Sequence, residues 1–517
     1  MAGLSLEFFL ASSVALIVLS VALVGWLATR GDSSDEGAPA RINLLRHRWL
    51  ARVIRWRPLQ FVARLPFVLV FLLVIVAGFI GSQEPGRNIA PVLTWTIWWA
   101  ALIIVIPLLG KIWCFVCPWN AIAEWIQRLT FWRVKDTGIS LSFPWPARLR
   151  NLYPAIGLFL ILTWLELGFG VTTSGIATAG LAVLIVILAV VPALYFDRKP
   201  FCRYACLVGM VSGAYAHLAM LEVRAGDKGV CRTCRTKDCV NGNERGYGCP
   251  VSVYPGTMDR DTYCIQCTEC AKTCPKGNIA FNLRSFASSV IPPAKLRLDE
   301  AYMVLVVLGL TFFHSIAMTY NWMDAVHWAH GALGGNDWGL VLGFSIGMLV
   351  VLVVPGLVYV LGVAVARRTS AVGASLRTVF IAFVYALLPV ALFYHLAHNL
   401  QHLLREGQAL VPLLSDPLGW GWNLFGTAGM QLSPVLSLGS TQVLQVLLVV
   451  LGNLLGISLA FRIVRAWGIA ESGGLRALLP LATVIVVLSI ANLLLLAAPM
   501  QMRIGDAMPG HQMPGAP

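Results

Sequence analysis

Ten apolar stretches, each near 20 residues, recur along the chain at roughly 5–28, 59–81, 91–110, 152–172, 176–196, 299–320, 338–364, 377–398, 439–461 and 477–498. A helix of about 20 residues crosses a hydrocarbon core of about 30 Å. The stretches therefore predict a mainly α, polytopic helical membrane protein with about ten transmembrane helices. The first stretch is too long for a signal-peptide core, and Leu27-Ala28-Thr29 makes a poor cleavage site, so it is expected to be retained. Only residues 225–285 form a sizeable polar segment.

Composition agrees with this pattern. Of 517 residues, 58% are hydrophobic and 12% charged, about half the roughly 25% charge of soluble domains. Mean hydropathy is +0.76. A soluble enzyme, a disordered chain and a secreted disulfide scaffold are all excluded. The net charge of +14 does not call for nucleic acid, because membrane proteins collect Lys and Arg in cytoplasmic loops. Arg41, Arg46, Arg48, Arg52, Arg55 and Arg57 follow the first stretch, which puts that loop inside and the N-terminus outside. Alternation then places 111–150, 198–297, 367–377 and 462–476 inside too, and the C-terminus outside. The expected location is the bacterial inner (cytoplasmic) membrane, in contact with lipid on all sides.

All 12 cysteines lie between Cys114 and Cys274, on the side expected to be cytoplasmic and reducing, which argues against disulfides. Within the polar segment, Cys264, Cys267, Cys270, Cys274 and Pro275 make the C-x2-C-x2-C-x3-C-P run of bacterial ferredoxins, in which the fourth cysteine ligates the neighbouring cluster. A looser copy, Cys231, Cys234, Cys239, Cys249 and Pro250, stands upstream. Crossing the fourth ligands predicts one [4Fe-4S] cluster on Cys231, Cys234, Cys239 and Cys274, and a second on Cys264, Cys267, Cys270 and Cys249. Zinc on a C-x2-C pair needs neither the third cysteine nor the C-P terminus. The fold expected is thus a membrane helical protein with an inserted small α+β two-cluster ferredoxin-like domain. Its parts are a membrane domain 1–224, the ferredoxin-like domain 225–285, a second membrane domain 286–498 and a tail 499–517.

Two further pairs, Cys114/Cys117 and Cys202/Cys206, sit just past the third and fifth stretches, beside Lys111, Arg198, Lys199 and Arg203. Four converging thiolates would suit a third iron–sulfur cluster or a tetrahedral metal; two pairs of buried structural thiols are the alternative. Over about residues 60–285 the chain resembles the polytopic iron–sulfur proteins represented by NosR and NapH, which carry two C-x3-C-P motifs at membrane helix ends followed by a two-cluster ferredoxin domain. The resemblance implies electron transfer between the quinone pool and protein partners, or electron supply for maturing a periplasmic metalloenzyme. The first pair here is one residue short, C-x2-C-P, and the second has Leu207 in place of proline.

The second membrane domain, 286–498, carries six of the nine histidines, toward the side expected to be outer. His395, His398 and His402 share one helical face, and His314 lies near the end of the sixth stretch. These four could ligate haem b or copper, or bond a quinone, and polar groups at this depth are usually functional. His327 and His330 fall in the following loop, 321–337. The tail brings Met500, Met502, Met508, His511 and Met513, soft donors that select Cu(I), in a segment too rich in Pro and Gly for a stable helix. Glu166 stands alone in its apolar stretch, and no internal repeat is evident. The function expected is electron transfer between a cytoplasmic donor or acceptor and a quinone, haem or metal centre on the outer half, with the quinone pool or a periplasmic redox protein as the other partner. The alternative is an assembly protein supplying electrons or copper to a metalloenzyme. A transporter would need a substrate path that the sequence does not display.

Overall fold

The computed structural model describes residues 3–29, 40–134, 138–288, 296–370, 374–466 and 474–501. Its principal helices are α1 (Leu6–Thr29), α2 (Leu59–Ile80), α3 (Ile89–Leu109), α4 (Ile112–Val116), α5 (Pro118–Arg128), α6 (Tyr153–Gly168), α7 (Gly175–Tyr195), α8 (Leu207–Tyr215), α9 (Leu298–Ile316), α10 (Tyr320–Ala332), α11 (Asp337–Thr369), α12 (Leu376–Ser415), α13 (Leu438–Ala466) and α14 (Gly474–Ala497). Among the described residues, nine are long and apolar enough to cross a membrane: α1, α2, α3, α7, α9, α11, α12, α13 and α14. The stretch read as 152–172 is shorter than expected. Its helix, α6, has 16 residues and stops at Gly168, where the chain turns through Gly170 and Thr173 before Ser174 caps α7. The segment read as the loop 321–337 is largely the helix α10, capped by Thr319, with His327 exposed on it.

Apolar residues face outward on most spans, as lipid requires, but not on α12. In its most apolar window 89% of residues are buried, against 22% for α7, so α12 is the central helix and its histidines face protein. Close crossings use small residues, as is usual between membrane helices. A Cβ on Gly78 of α2 would stand 2.5 Å from the Ala179 Cβ of α7, so nothing larger than glycine fits there.

The polar segment lies against one end of the helix bundle. Its three-stranded antiparallel sheet has the order β1-β5-β2, with β1 Arg41–Asn43, β2 Leu221–Ala225 and β5 Ile279–Arg284. A two-residue ladder, β3 Gly242–Asn243 and β4 Gly246–Tyr247, completes the strands. The edge strand β1 comes from the basic loop after α1, so that loop is built into the cysteine-bearing unit rather than lying free.

Buried ions fasten this unit to the helices. Glu222, fully enclosed, meets Arg41 at 2.8 Å and Arg224 and Arg284 at 3.3 Å. Arg260 pairs with Glu300 at the start of α9, and Tyr385 of α12 donates to the same carboxylate at 3.0 Å. Near the end of α13, Arg462 donates to the carbonyls of Ala287 and Ser288, both at 2.9 Å. The start of α9 and the ends of α3, α7 and α13 therefore all lie on the ferredoxin side.

Candidate iron–sulfur sites and the adjoining cavity

None of the twelve cysteines forms a disulfide. In the polar segment they lie near one another. Burial, and then the neighbouring Cys274, Cys231, Cys234 and Cys249 thiols, push Cys239 up to about 12. Burial and Cys249 push Cys267 up to about 12, and Cys270 is raised by burial, Cys267, Cys264 and Cys249. Cys274 thus lies near the upstream three, and Cys249 near the downstream three and Cys239 alike. Left-handed backbone at Gln266 (φ 51°) and Thr268 (φ 66°) winds the chain tightly enough for three thiols to converge.

Backbone amides point at the sulfurs: Gln266 N–H at Cys264 (3.4 Å), Val253 N–H at Cys249 (3.3 Å) and Asn278 N–H at Cys274 (3.3 Å). The Asn278 side chain donates to Cys231 at 3.3 Å. Donors of this kind stabilise thiolates and tune cluster potentials.

The two remaining pairs, 85 or more residues apart in the chain, come together. Cys117 lies among Cys206, Cys114 and Cys202, and Cys206 among Cys202 and Cys114. Each pair is built the same way. A buried lysine stands three residues before the first cysteine (Lys111 before Cys114, Lys199 before Cys202), and the second cysteine caps a helix. Cys117 stands at the N-cap position of α5. Cys206 caps α8, and the Gly209 amide donates to its sulfur at 3.3 Å. A π-turn over Phe201–Ala205 absorbs the extra residue of the second pair, closing Cys206 N–H on Phe201 O at 2.8 Å.

The lysines then cross over. Lys111 Nζ donates to Gly209 O (3.0 Å) and Thr262 O (2.8 Å), while Lys199 Nζ donates to Asn120 Oδ1 (2.6 Å). Each motif holds the other through its lysine. This is a local repeat, hidden in sequence by the unequal cysteine spacing and by Asn120 standing where the second copy has Gly209.

Burial pushes Cys202 up to about 11 and Cys206 up to about 12, with Lys199 and Lys111 opposing the rise. As free thiols these groups are protonated at neutral pH; a bound metal centre would hold them as thiolates. Two helix N-termini and two buried ammonium groups would offset the resulting charge. A zinc ion needs its sulfurs about 3.8 Å apart, from a 2.3 Å bond in a tetrahedron. Among the described residues no three His, Cys, Asp or Glu side chains are close enough for a single metal ion. A cubane binds each thiolate to a different iron and so takes a wider set.

The three groups form one connected series. Cys114 and Cys202 pack against the buried cluster of Cys249, Val251, Ile265 and Cys267, and Cys249 neighbours Cys239.

One known protein family matches the chain, over residues 91–140 and 178–220. That family is described as a 4Fe-4S binding domain. The matched stretches contain Cys114, Cys117, Cys202 and Cys206 with both lysines, and stop short of the ferredoxin run. No curated protein and no solved structure matches.

Beside the paired cysteines, on the bundle side, lies an apolar cavity of about 530 Å³ walled by α2, α3, α6 and α7. Trp113 and Trp119, which flank the first cysteine pair, form one end of its lining with Leu207 and Val208. The indole N–H groups of Trp98, Trp113 and Trp119 and the hydroxyl of Thr163 are buried without partners along this lining. Glu166, one helical turn beyond Thr163, completes it. Sequence reading missed the indoles, because aromatic residues in an apolar stretch carry no sign of which neighbours they lack.

The His398 and His402 rings lie 5.0 Å apart, but among the described residues the histidines form no metal-binding set of three or more. His395 Nδ1 bonds Tyr215 Oη at 3.2 Å, His398 Nδ1 bonds Ser315 Oγ at 3.0 Å and His402 Nδ1 meets Glu406 at 3.3 Å. His314 Nδ1 bonds Leu310 O at 2.8 Å, and its Nε2 stands 3.8 Å from Glu166, so that carboxylate has a partner the sequence did not reveal. Met500 is buried, and the next amide, Gln501 N–H, donates to Met318 O at 2.9 Å, so the chain is packed up to this point. Met502, Met508, His511 and Met513 lie outside the described residues.

Proposed function

We propose that this chain is a membrane iron–sulfur electron-transfer protein that exchanges electrons between a protein partner on its ferredoxin side and a quinone in the tryptophan-walled cavity. The ligands would be Cys231, Cys234, Cys239 and Cys274 for one [4Fe-4S] cluster, Cys264, Cys267, Cys270 and Cys249 for a second, and Cys114, Cys117, Cys202 and Cys206 for a third. Bound clusters supply one-electron redox chemistry. The polypeptide spaces the sites, shields them from water and fixes charge beside them through Lys111 and Lys199.

The observation that carries the reading is adjacency. Trp113 and Trp119 flank the paired cysteines and also wall the cavity. Unpartnered buried donors need an acceptor, and a quinone presents two carbonyl oxygens on a flat apolar ring. The cavity's volume lies within the range of small-molecule sites. By the distribution of Lys and Arg the ferredoxin side is cytoplasmic. No observation favours a copper or assembly role, because the tail on which it rested falls outside the described residues.

The test is anaerobic mixing of the cluster-loaded protein with a short-chain hydroquinone, and of the dithionite-reduced protein with the matching quinone, followed by electron paramagnetic resonance. Cluster signals should appear or disappear with one of the two. A fully loaded protein inert to both would refute the quinone reading.

A further inference from the structure

We propose that Glu166 and His314 form a two-member proton relay at the cavity wall, with Glu166 the group that exchanges a proton with hydroquinone. The proposal rests on the quinone reading above.

The geometry fixes where one proton must sit. Leu310 O can only accept, so His314 Nδ1 carries a hydrogen and donates it at 2.8 Å. In the neutral ring Nε2 is then a bare acceptor. It faces Glu166 Oε2, a second acceptor, at 3.8 Å. A proton on either one, carboxyl or imidazole, turns this contact attractive. Closing the gap to a hydrogen bond takes a movement of about 1 Å. Glu166 also lines the cavity, so the shared proton borders the space a substrate would occupy.

His314 is buried. Polar groups at this depth are costly and seldom kept for packing alone.

The chemistry balances. When hydroquinone is oxidised, each O–H bond breaks, its electron pair stays with oxygen, and the carbon–oxygen bond becomes a carbonyl. The ring loses two electrons, one to each of two successive one-electron acceptors among the iron–sulfur centres. One released proton forms an O–H bond with the Glu166 carboxylate and passes to the bare His314 Nε2, and the second goes to water as the quinone leaves. Quinone reduction runs the same transfers backward.

The test uses the full chain, purified anaerobically with its iron content verified, and a short-chain hydroquinone as probe. Binding is read from tryptophan fluorescence quenching, transfer from the rate of cluster reduction, and protonation from the carboxyl band in the redox-induced infrared difference spectrum. Glu166→Gln should bind the probe within about twofold of the wild type, slow transfer by about 100-fold, as loss of a general base does, and lose a carboxyl band. If Glu166→Gln binds and transfers like the wild type with every carboxyl band retained, the relay is wrong while the quinone reading stands. If the wild type neither quenches nor reacts, the quinone reading fails, and the relay with it.

Discussion

Replacing Glu124 by glutamine should be among the most damaging single substitutions near the paired cysteines. The Glu124 carboxylate is 5% exposed and binds Arg64, Arg128 and Lys199, whose side chains are 1%, 14% and 3% exposed. Burial acts to raise its pKa, but Arg128, Arg64 and Lys199 together hold it well below 4.5. At the 3.1 Å separation from Arg64, unit charges attract by about 5 kcal/mol at an effective dielectric near 20, before desolvation is subtracted. Removing one member of a buried ion cluster typically costs about 3–5 kcal/mol, because the remaining charges are left uncompensated. We expect a loss of that size for Glu124→Gln, read by equilibrium unfolding in mixed detergent with tryptophan fluorescence. Adding Lys199→Met should restore about 1–3 kcal/mol, because it removes one of the stranded cations. Since the folded-state pKa is depressed, the carboxylate's contribution is complete above about pH 4.5 and is lost as pH falls through the folded value. A Glu124→Gln protein within about 0.5 kcal/mol of the wild type, or a double variant less stable than the single one, would refute the reasoning.

Other substitutions probe neighbouring features. Asn278→Ala removes a 3.3 Å donor to the Cys231 sulfur, which favours the more negative, reduced state. It should lower that cluster's potential by about 40 mV, for a differential hydrogen-bond strength near 1 kcal/mol and a one-electron couple; redox titration monitored by electron paramagnetic resonance would show it. Gly110 has φ 63°, and a Cβ there would stand 2.9 Å from Gln266 Nε2 and 3.1 Å from Leu221 O. Gly110→Ala should therefore cost about 1–3 kcal/mol and disturb the contact between α3 and the ferredoxin loop, seen as a lower thermal midpoint. Cys267→Ser should remove one cluster's iron and leave the rest, as read by iron analysis.

The apolar stretches were legible because span length and all-round hydrophobicity need no tertiary information. So was the ferredoxin-type cysteine run, where a short sequence winds its own thiols together. The paired cysteines were visible, but not their shared design. Lys111 bonds Gly209 and Lys199 bonds Asn120, contacts across 98 and 79 residues that no local pattern encodes. Likewise Glu166 looked isolated, since its partner His314 is on another helix, 148 residues away in the chain. The histidine face on α12 was periodic as read, yet packing gave each ring a different neighbour. Helix α6 came out shorter than its apolar stretch because Gly168 and Gly170 end it before hydrophobicity runs out.

The central claim is that twelve thiols hold three cubanes in series, the third between the ferredoxin unit and the cavity. Iron and acid-labile sulfide determined on anaerobically purified protein, with Mössbauer spectra, test it most directly. The wild type should hold about 12 iron and 12 sulfide per chain, and Cys202→Ser about 8 of each, at four per cluster. About 8 iron in both proteins, or zinc in the wild type at the paired cysteines, would contradict the account.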